Sequence, residues 1–286
     1  MSERILVTGA TAPMGREVVR ILREQGATVM AGTRRPDRAL DVLGEDVDVV
    51  ELDYRQAATF NEAVHWADHL LLQPPAFDPD AHETLKSLLD WAVQAGTRRV
   101  VLVSAMGMSV REDLPMRRLE HHVASLGVEY TILRPNFYMQ SFAEGVLADR
   151  IRSQHHYQMP VDDARVTLVD ARDVAAVAAA ALVEAGHKGA EYTLTGPDAL
   201  THAEVAAVMT EASGSTIRYT ACSDDEMLGW LTGSGWRPDV AGVVISMYQA
   251  VRGGVRAEAT DDLERLLGRP ARSFSDFADE HGESWA

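Results

Sequence analysis

The chain has 286 residues, 46% of them hydrophobic, and a net charge of −16. That length suits one large domain or a domain with a lobe. The acidity argues against nucleic acid or an anionic membrane as partner, since both need a basic face. The chain contains no apolar run long enough to span a bilayer, so no transmembrane helix is expected. The turn directly after Val7 does not fit a signal peptide. The single cysteine, Cys222, fits a reducing cytoplasm, which is the expected location.

The chain opens on a short apolar run, Ile5-Leu6-Val7, that leads into a glycine loop. The helix that follows carries Met14, Val18, Ile21 and Leu22 at helical spacing, with Pro13 suited to its first position and Gly26 to its stop. Strand, tight turn and helix in this order place backbone N–H groups and a helix N-terminus where a pyrophosphate can bind. The glycine fingerprint would use positions 9, 12 and 15, which here are Gly9, Ala12 and Gly15. The middle position carries a methyl group. Pro13 biases Ala12 toward extended backbone, which makes the alanine tolerable.

A second strand is expected over Thr28–Gly32. Arg34, Arg35 and Arg38 follow it, where a chain that binds NAD would place an acid for the ribose 2′-hydroxyl. Guanidinium forks match a phosphate instead, so the expected cofactor is NADP(H). A third strand, Val47–Leu52, leads to Asp53 and Tyr54 at the place of an adenine ring. A fourth, His69–Leu72, runs into Gln73-Pro74-Pro75. A helix with Leu85, Leu88, Leu89 and Ala92 on one face stops at Gly96. The fifth strand, Arg99–Ser104, is nearly all valine and leucine, as a strand buried on both faces should be. Helix Met116–Leu126 and strand Val128–Leu133 follow. This alternation predicts an α/β fold with a doubly wound parallel sheet.

In the second half, Asp170 starts an alanine-rich helix to about Ala185, and Tyr192–Thr195 reads as a strand. Thr201–Glu204 and Ser223–Glu226 have the capping-box pattern that starts helices. Further helices are expected over Val240–Val251 and Asp261–Leu267. Residues 1–150 are therefore assigned to a nucleotide-binding domain, with 166–196 returning to its sheet. Residues 151–165 and 197–286 are assigned to a smaller, mostly helical substrate lobe.

Five segments together carry a family resemblance: VTGAT near the start, RVVLVSA at Arg99–Ala105, EYTILRPNFYMQSF at Glu129–Phe142, LVDARDVAAVAAAAL at Leu168–Leu182 and YTLTGPDALTHAE at Tyr192–Glu204. In this order they resemble the NmrA-like atypical short-chain dehydrogenase/reductases, from Ile5 to about Phe277. The resemblance implies a Rossmann domain with an NADP(H) site and a substrate lobe. It implies that Gly9, Thr11, Ala12, Pro13, Met14 and Gly15 line the pyrophosphate and that Arg34 and Arg35 face the 2′-phosphate. Gln73, Pro74, Ser104, Pro135, Asn136 and Phe137 are implied around the ribose and nicotinamide.

One departure from the wider superfamily bears on the reaction. Typical members use Tyr-x-x-x-Lys, the tyrosine moving the proton and the lysine lowering its pKa. The chain has two lysines, Lys86 and Lys188, and none of its seven tyrosines is followed by lysine at the fourth position. Three readings follow. In the first, hydride passes from NADPH to a substrate that stabilises its own developing charge, such as a polycyclic aromatic ketone with a neighbouring phenol, or a quinone. Within the family this corresponds to a ketoreductase of aromatic polyketide, antibiotic-type biosynthesis, or to a quinone reductase. In the second, the chain is a non-catalytic NADP(H)-binding redox sensor of NmrA type. In the third, another side chain supplies the proton, with Ser104, Glu112, His121 and Tyr138 as candidates.

Met106, Tyr138, Met139, Phe142 and Tyr157 are candidates for an apolar substrate pocket, with Met108 and Met159 of the same character. Trp230 and Trp236 are candidates for a lid over a flat aromatic ligand. The pairs His65/His69, His121/His122 and His155/His156 lack a third ligand, so no metal site is expected. No G-x-S-x-G is present, which removes the hydrolase nucleophile elbow.

Overall fold

The computed structural model describes residues 3–255 and 257–286. The first half alternates as β1 (Arg4–Thr8), α1 (Pro13–Glu24), β2 (Thr28–Thr33), α2 (Pro36–Leu43), β3 (Asp48–Glu51), α3 (Phe60–Trp66), β4 (His69–Leu72), α4 (Ala81–Ala95), β5 (Arg99–Val103), α5 (Pro115–Ser125) and β6 (Glu129–Pro135). Then come α6 (Gly145–Gln154), β7 (His156–Met159), β8 (Arg165–Thr167), α7 (Ala171–Val183), β9 (Ala190–Leu194) and β10 (Ala199–Thr201). The chain continues with α8 (His202–Ser213), β11 (Arg218–Ala221), α9 (Asp224–Gly233), α10 (Pro238–Arg252), α11 (Asp262–Leu267) and α12 (Phe274–His281).

Seven strands form one sheet in the order β3-β2-β1-β4-β5-β6-β9. The neighbours from β3 to β6 pair in parallel, with Leu6 of β1 opposite Met30 of β2 on one side and Leu70 of β4 on the other. The chain runs outward to β3, then crosses back to lay β4 beside β1. Ligands of such sheets bind outside the C-terminal strand ends at this reversal. Leu70, Leu71 and Leu72 of β4 and Val100, Val101 and Leu102 of β5 are fully buried, as strands covered on both faces must be.

α4 lays Leu85, Leu88, Leu89 and Ala92 on the core. α7, rich in alanine, is buried almost all round and packs against α1, its small side chains allowing close approach. Arg99 ties its end down, donating to the carbonyls of Leu182 and Glu184 at 2.9 Å each while pairing with Glu129 at 2.9 Å. These donors satisfy carbonyls that a helix C-terminus leaves without partners.

The chain divides into two compact units. The first takes the residues to Ala76, Asp80–Pro135 and Ala171–Thr193, and the second takes Phe77–Pro79, Asn136–Asp170 and Leu194–Ala286. The division therefore falls directly after β6. The second unit contains two small sheets, β10 antiparallel to β8 and β11 parallel to β7, beside its helices. α8 and α9 start at the expected capping boxes of Thr201/Glu204 and Ser223/Glu226. A third box, Ser273/Asp276, starts α12. Among the described residues no helix is long and apolar enough to cross a membrane.

The core of the second unit is aromatic. Phe142, Tyr157, Phe274, Phe277 and Trp285 are buried together, and the Trp285 Nε1–H donates to the Phe142 carbonyl at 2.7 Å. Trp285→Ala is expected to cost about 3–5 kcal/mol, by removing the ring and leaving a buried carbonyl without its donor. A urea unfolding curve measures this, and a midpoint within error of the parent chain would contradict it.

Candidate functional site

At the end of β1 the backbone turns at Gly9, whose φ of +63° lies in the left-handed region open to glycine. The Ala12 N–H closes the turn on the Gly9 carbonyl at 3.0 Å. Ala12 is extended (φ −74°, ψ 158°), as the following proline demands. A Cβ on Gly15 would stand 2.2 Å from the Gly9 carbonyl oxygen, so only glycine lets α1 close on the loop. The N-terminus of α1 has no side-chain cap and no acid in its first turn. The N–H groups of Met14 and Gly15 have no intrahelical acceptor at that position, and Thr11 is half-buried in the turn before them. The arrangement fits a diphosphate.

Arg34 and Arg35 follow β2, and both are exposed. Among the described residues neither guanidinium has a hydrogen bond or an ion pair. Beyond β3, Asp53 takes the Arg55 N–H at 3.0 Å and the Gln56 amide at 2.9 Å. The Arg55 N–H does most to hold the Asp53 carboxyl below its ordinary value. Burial opposes it, while Gln56 and the charges of Arg34 and Arg55 add to it. Asp53 is thus occupied in its own turn. The Tyr54 hydroxyl donates to the Gln73 carbonyl at 2.8 Å. Burial pushes this hydroxyl far up, against the Thr8 hydroxyl and the Arg34 charge. Thr8 Oγ1 accepts the Gln73 N–H at 2.9 Å and donates to the Leu71 carbonyl at 3.0 Å, joining the ends of β1 and β4.

The Gln73 side chain lies against Gly9, and its Oε1 is buried with no hydrogen-bond partner. A buried acceptor without a donor is costly, and a ligand hydroxyl at the loop would relieve it. This acceptor, the open helix N-terminus and the two guanidiniums without partners together fit a phosphorylated dinucleotide. Pro74 follows Gln73, and the Pro135 carbonyl at the end of β6 takes the Met106 N–H at 2.9 Å. Asn136 and Phe137 belong to the second unit. Asn136 donates from Nδ2 to Thr167 at 2.7 Å and accepts the Phe137 N–H at 2.9 Å.

Three of the four acid candidates fall in one hydrogen-bonded chain. The Ser104 hydroxyl donates to Glu120 Oε1 at 2.5 Å. Arg134 grips the same carboxylate bidentately, 2.8 Å at each oxygen, and also reaches Glu191 at 2.6 Å. Arg117 binds Glu120 at 2.8 Å and Glu112 at 3.0 Å, and Glu112 takes an N–H of His121 at 2.8 Å. Burial alone would raise the Glu120 pKa, but Arg134, Ser104 and Arg117 more than reverse this and keep it charged. The Ser104 proton is therefore committed to a carboxylate. Glu112 and His121 are exposed, and the hydrogen bonds from His121 and Arg117 hold the Glu112 carboxyl below its ordinary value, so it is not a proton donor at neutral pH. The fourth candidate, Tyr138, has a buried hydroxyl with no hydrogen-bond partner, and burial pushes it far up. Alignment with the family's glutamate points to Glu120 in the sequence, but its pairing with Arg134 and Arg117 is not visible there. Its local signal was an arginine directly after Ile132 and Leu133 in the buried end of β6, which needs a buried acid.

The second unit holds a cavity of about 250 Å³ lined by aromatic and aliphatic side chains, among them Phe77, Phe137, Phe142, Trp230, Trp236 and Tyr248. Of the pocket candidates, Phe142 lines it, as does Met159. Tyr157 is a core residue, fully buried, with its hydroxyl donating to the His202 carbonyl at 2.8 Å. Met139 is buried in the same core, Tyr138 is outside the lining, and Met106 is buried in the first unit. His202 reaches the lining as a neutral ring, since burial lowers its pKa to about 4.

A family model described as the NmrA-like family matches residues 1–253. The chain belongs to the NmrA-like family. This NmrA-like chain is 31% identical to an NAD(P)H azoreductase of Xenophilus azovorans, over 98% of the chain and 99% of the relative. It is 35% identical to the (4-alkanoyl-5-oxo-2,5-dihydrofuran-3-yl)methyl phosphate reductase of Streptomyces griseus, over 99% of each. Its fold matches an NADPH complex of an Escherichia coli NADPH-dependent quinone oxidoreductase with a TM-score of 0.82 at 23% identity, covering 96% of this chain and 99% of the other. It also matches the Citrobacter sp. triphenylmethane reductase with NADP(H), with a TM-score of 0.81 at 22% identity, covering 98% and 100%.

The folded Glu120 carboxyl lies below its ordinary value of 4.5, so its contribution to stability is complete above about pH 4.5 and is lost as pH falls through the lower folded value. Glu120→Gln is expected to destabilise the NmrA-like chain by about 3–5 kcal/mol at pH 7, because Arg134 loses its buried partner. Below pH 4.5 the variant should lose stability less steeply than the parent. Parallel acid dependences in urea unfolding from pH 3 to 7 would contradict the assignment.

Proposed function

We propose that this chain is an NADPH-dependent reductase of flat, electron-poor conjugated acceptors, quinones foremost, working without a side-chain acid. One observation carries the reading: at the end of β5 the Ser104 proton is bound to the charged Glu120, so Ser104 can accept a hydrogen bond but has none to give. With Tyr-Lys missing and Glu112 and His121 on the surface, the acceptor itself must carry the developing charge. A quinone does this because hydride addition leaves an aromatic hydroquinone anion, which takes its proton from water. An aromatic ketone beside a phenol, as in aromatic polyketides, does it through its own hydrogen bond. The names of the Xenophilus and Streptomyces relatives, an NAD(P)H azoreductase and an oxo-dihydrofuran reductase, support reduction of a conjugated acceptor.

When bound, NADPH supplies the hydride. The loop Gly9–Gly15 and the start of α1 would hold its diphosphate, Gln73 Oε1 a ribose hydroxyl, and Arg34 with Arg35 the 2′-phosphate. The aromatic cavity of the second unit would orient the acceptor and exclude water. At about 250 Å³ it lies below the usual 300–1,000 Å³ of ligand pockets, which favours quinones of one or two rings over large polycyclic ketones.

The buried, unpartnered Tyr138 hydroxyl supports a second reading, in which it donates to the substrate oxygen. Tyr138→Phe separates the two. Without a side-chain acid, quinone turnover should change by less than about threefold, whereas a loss above about tenfold moves the acid to Tyr138. The reductase reading is tested by NADPH oxidation, followed at 340 nm, against benzoquinone, naphthoquinone and hydroxyaryl ketones. Tight NADPH binding with no oxidation by any of them would leave a sensor. Arg34→Ala should raise KM for NADPH about ten- to a hundredfold and leave KM for NADH within twofold. Equal change for both cofactors would remove Arg34 from the 2′-phosphate site.

A further inference from the structure

The aromatic cavity has one feature that a neutral quinone does not use. Arg150 of α6 lines it, with its guanidinium carbon 5.3 Å from the centre of the Trp230 ring. Its other partners are neutral amides, Gln158 Oε1 at 2.8 Å and Gln154 Oε1 at 3.4 Å. No carboxylate pairs with it among the described residues. Nearby arginines are treated differently: Arg152, two residues on, pairs with Asp149, and Arg252 pairs with Asp224. Glu144 is the acid in the lining, and no ion pair joins it to Arg150. The acids that share the neighbourhood of Cys222 with Arg150 are Glu226, which caps α9, Asp224, held by Arg252, and Asp162, none of them in an ion pair with Arg150 among the described residues.

A half-buried cation beside apolar walls is poorly solvated on that side. Amide oxygens and an indole face orient it without neutralising it. Its planar fork presents N–H groups suited to a two-oxygen anion. We propose that Arg150 is an anion anchor, and that the cavity takes a flat aromatic ligand bearing a carboxylate, sulfonate or phosphate. The rings stack among Trp230, Trp236, Phe77 and Phe137, and the acidic substituent meets Arg150. As the identity of the acceptor this deepens the reductase reading and rests on it; as a statement about binding it does not.

Two probes with the same rings, 8-anilinonaphthalene-1-sulfonate and uncharged N-phenyl-1-naphthylamine, separate charge from shape. Binding to the full chain is read from probe fluorescence and from quenching of the tryptophans. Arg150→Met should weaken the sulfonate about tenfold or more and change the neutral probe by less than twofold, while Arg150→Lys, which keeps the charge, retains most of the sulfonate affinity. Equal weakening of both probes, or no change in either, overturns the proposal. In turnover, Arg150→Met should raise KM for 1,4-naphthoquinone-2-sulfonate at least about fivefold more than KM for 1,4-naphthoquinone. If neither quinone oxidises NADPH, the reductase reading fails, and the ratio of the two probe affinities still decides the anchor.

Discussion

The buried carboxylate of Glu120 organises the half of the sheet beyond the reversal. It sits on α5, yet its partners come from the end of β5 through Ser104 and from β6 through Arg134, and Arg134 extends the tie to Glu191 on β9. Four elements of the first unit thus converge on one ion pair. A buried ion pair is weak evidence of added stability, because desolvation of both partners opposes their attraction. Its value lies in registry. Removing either partner leaves a buried charge with only its weaker remaining pairing, Arg134 with Glu191 or Glu120 with Arg117, so β5, α5 and β6 are held in one mutual arrangement. The same ion pair shapes the chemistry. A serine at the end of β5 could donate to a ligand oxygen, and here its hydroxyl donates instead to the carboxylate that fixes the strands.

The opposite side of the reversal is built from backbone rather than from charge. Gly9 and Gly15 let β1 and α1 approach so closely that a methyl on the second glycine would collide with a carbonyl of the first. Ala12 is harmless because the residue ahead of a proline is extended, which turns its methyl out of the helical path. This loop alone cannot distinguish one dinucleotide from another. Directly after β2, Arg34 and Arg35 carry guanidiniums with no hydrogen bond or ion pair among the described residues, the feature on which the proposed 2′-phosphate contact rests.

Much of the first unit was legible because its elements are locally consistent. β4 and β5 are runs of leucine and valine bounded by turn residues, and α4 carries its leucines on one face up to a glycine stop. The two capping boxes were legible for the same reason. What stayed hidden depends on contacts distant in sequence. β7 and β11 are four residues each and pair with one another across about sixty residues, so neither has a local signature of strength. Helices of the second unit were therefore visible in the sequence, while its two small sheets were not. α7 is buried almost all round, so its pattern shows composition but no face. At the site, the arginines after β2 are visible in the sequence as a local run. The partner of Ser104 is not, because Glu120 and Arg134 meet only when α5 lies across β6. Arg150 had no local signal at all, since its meaning comes from having no ion pair with a carboxylate among the described residues.

That absence carries weight because of the chain's charge balance. With 43 acidic against 27 basic side chains, acids are in excess and a cation finds a partner readily. On the surface a guanidinium without a carboxylate is unremarked, since water solvates it and an exposed pair adds little. Arg150 is different because part of its surroundings is indole and aliphatic wall. Holding it with two glutamines rather than a glutamate keeps its charge available to a ligand. A glutamate at Gln158 would have neutralised the same geometry. The choice of amide over acid at that position turns an apolar cavity into one that discriminates by charge.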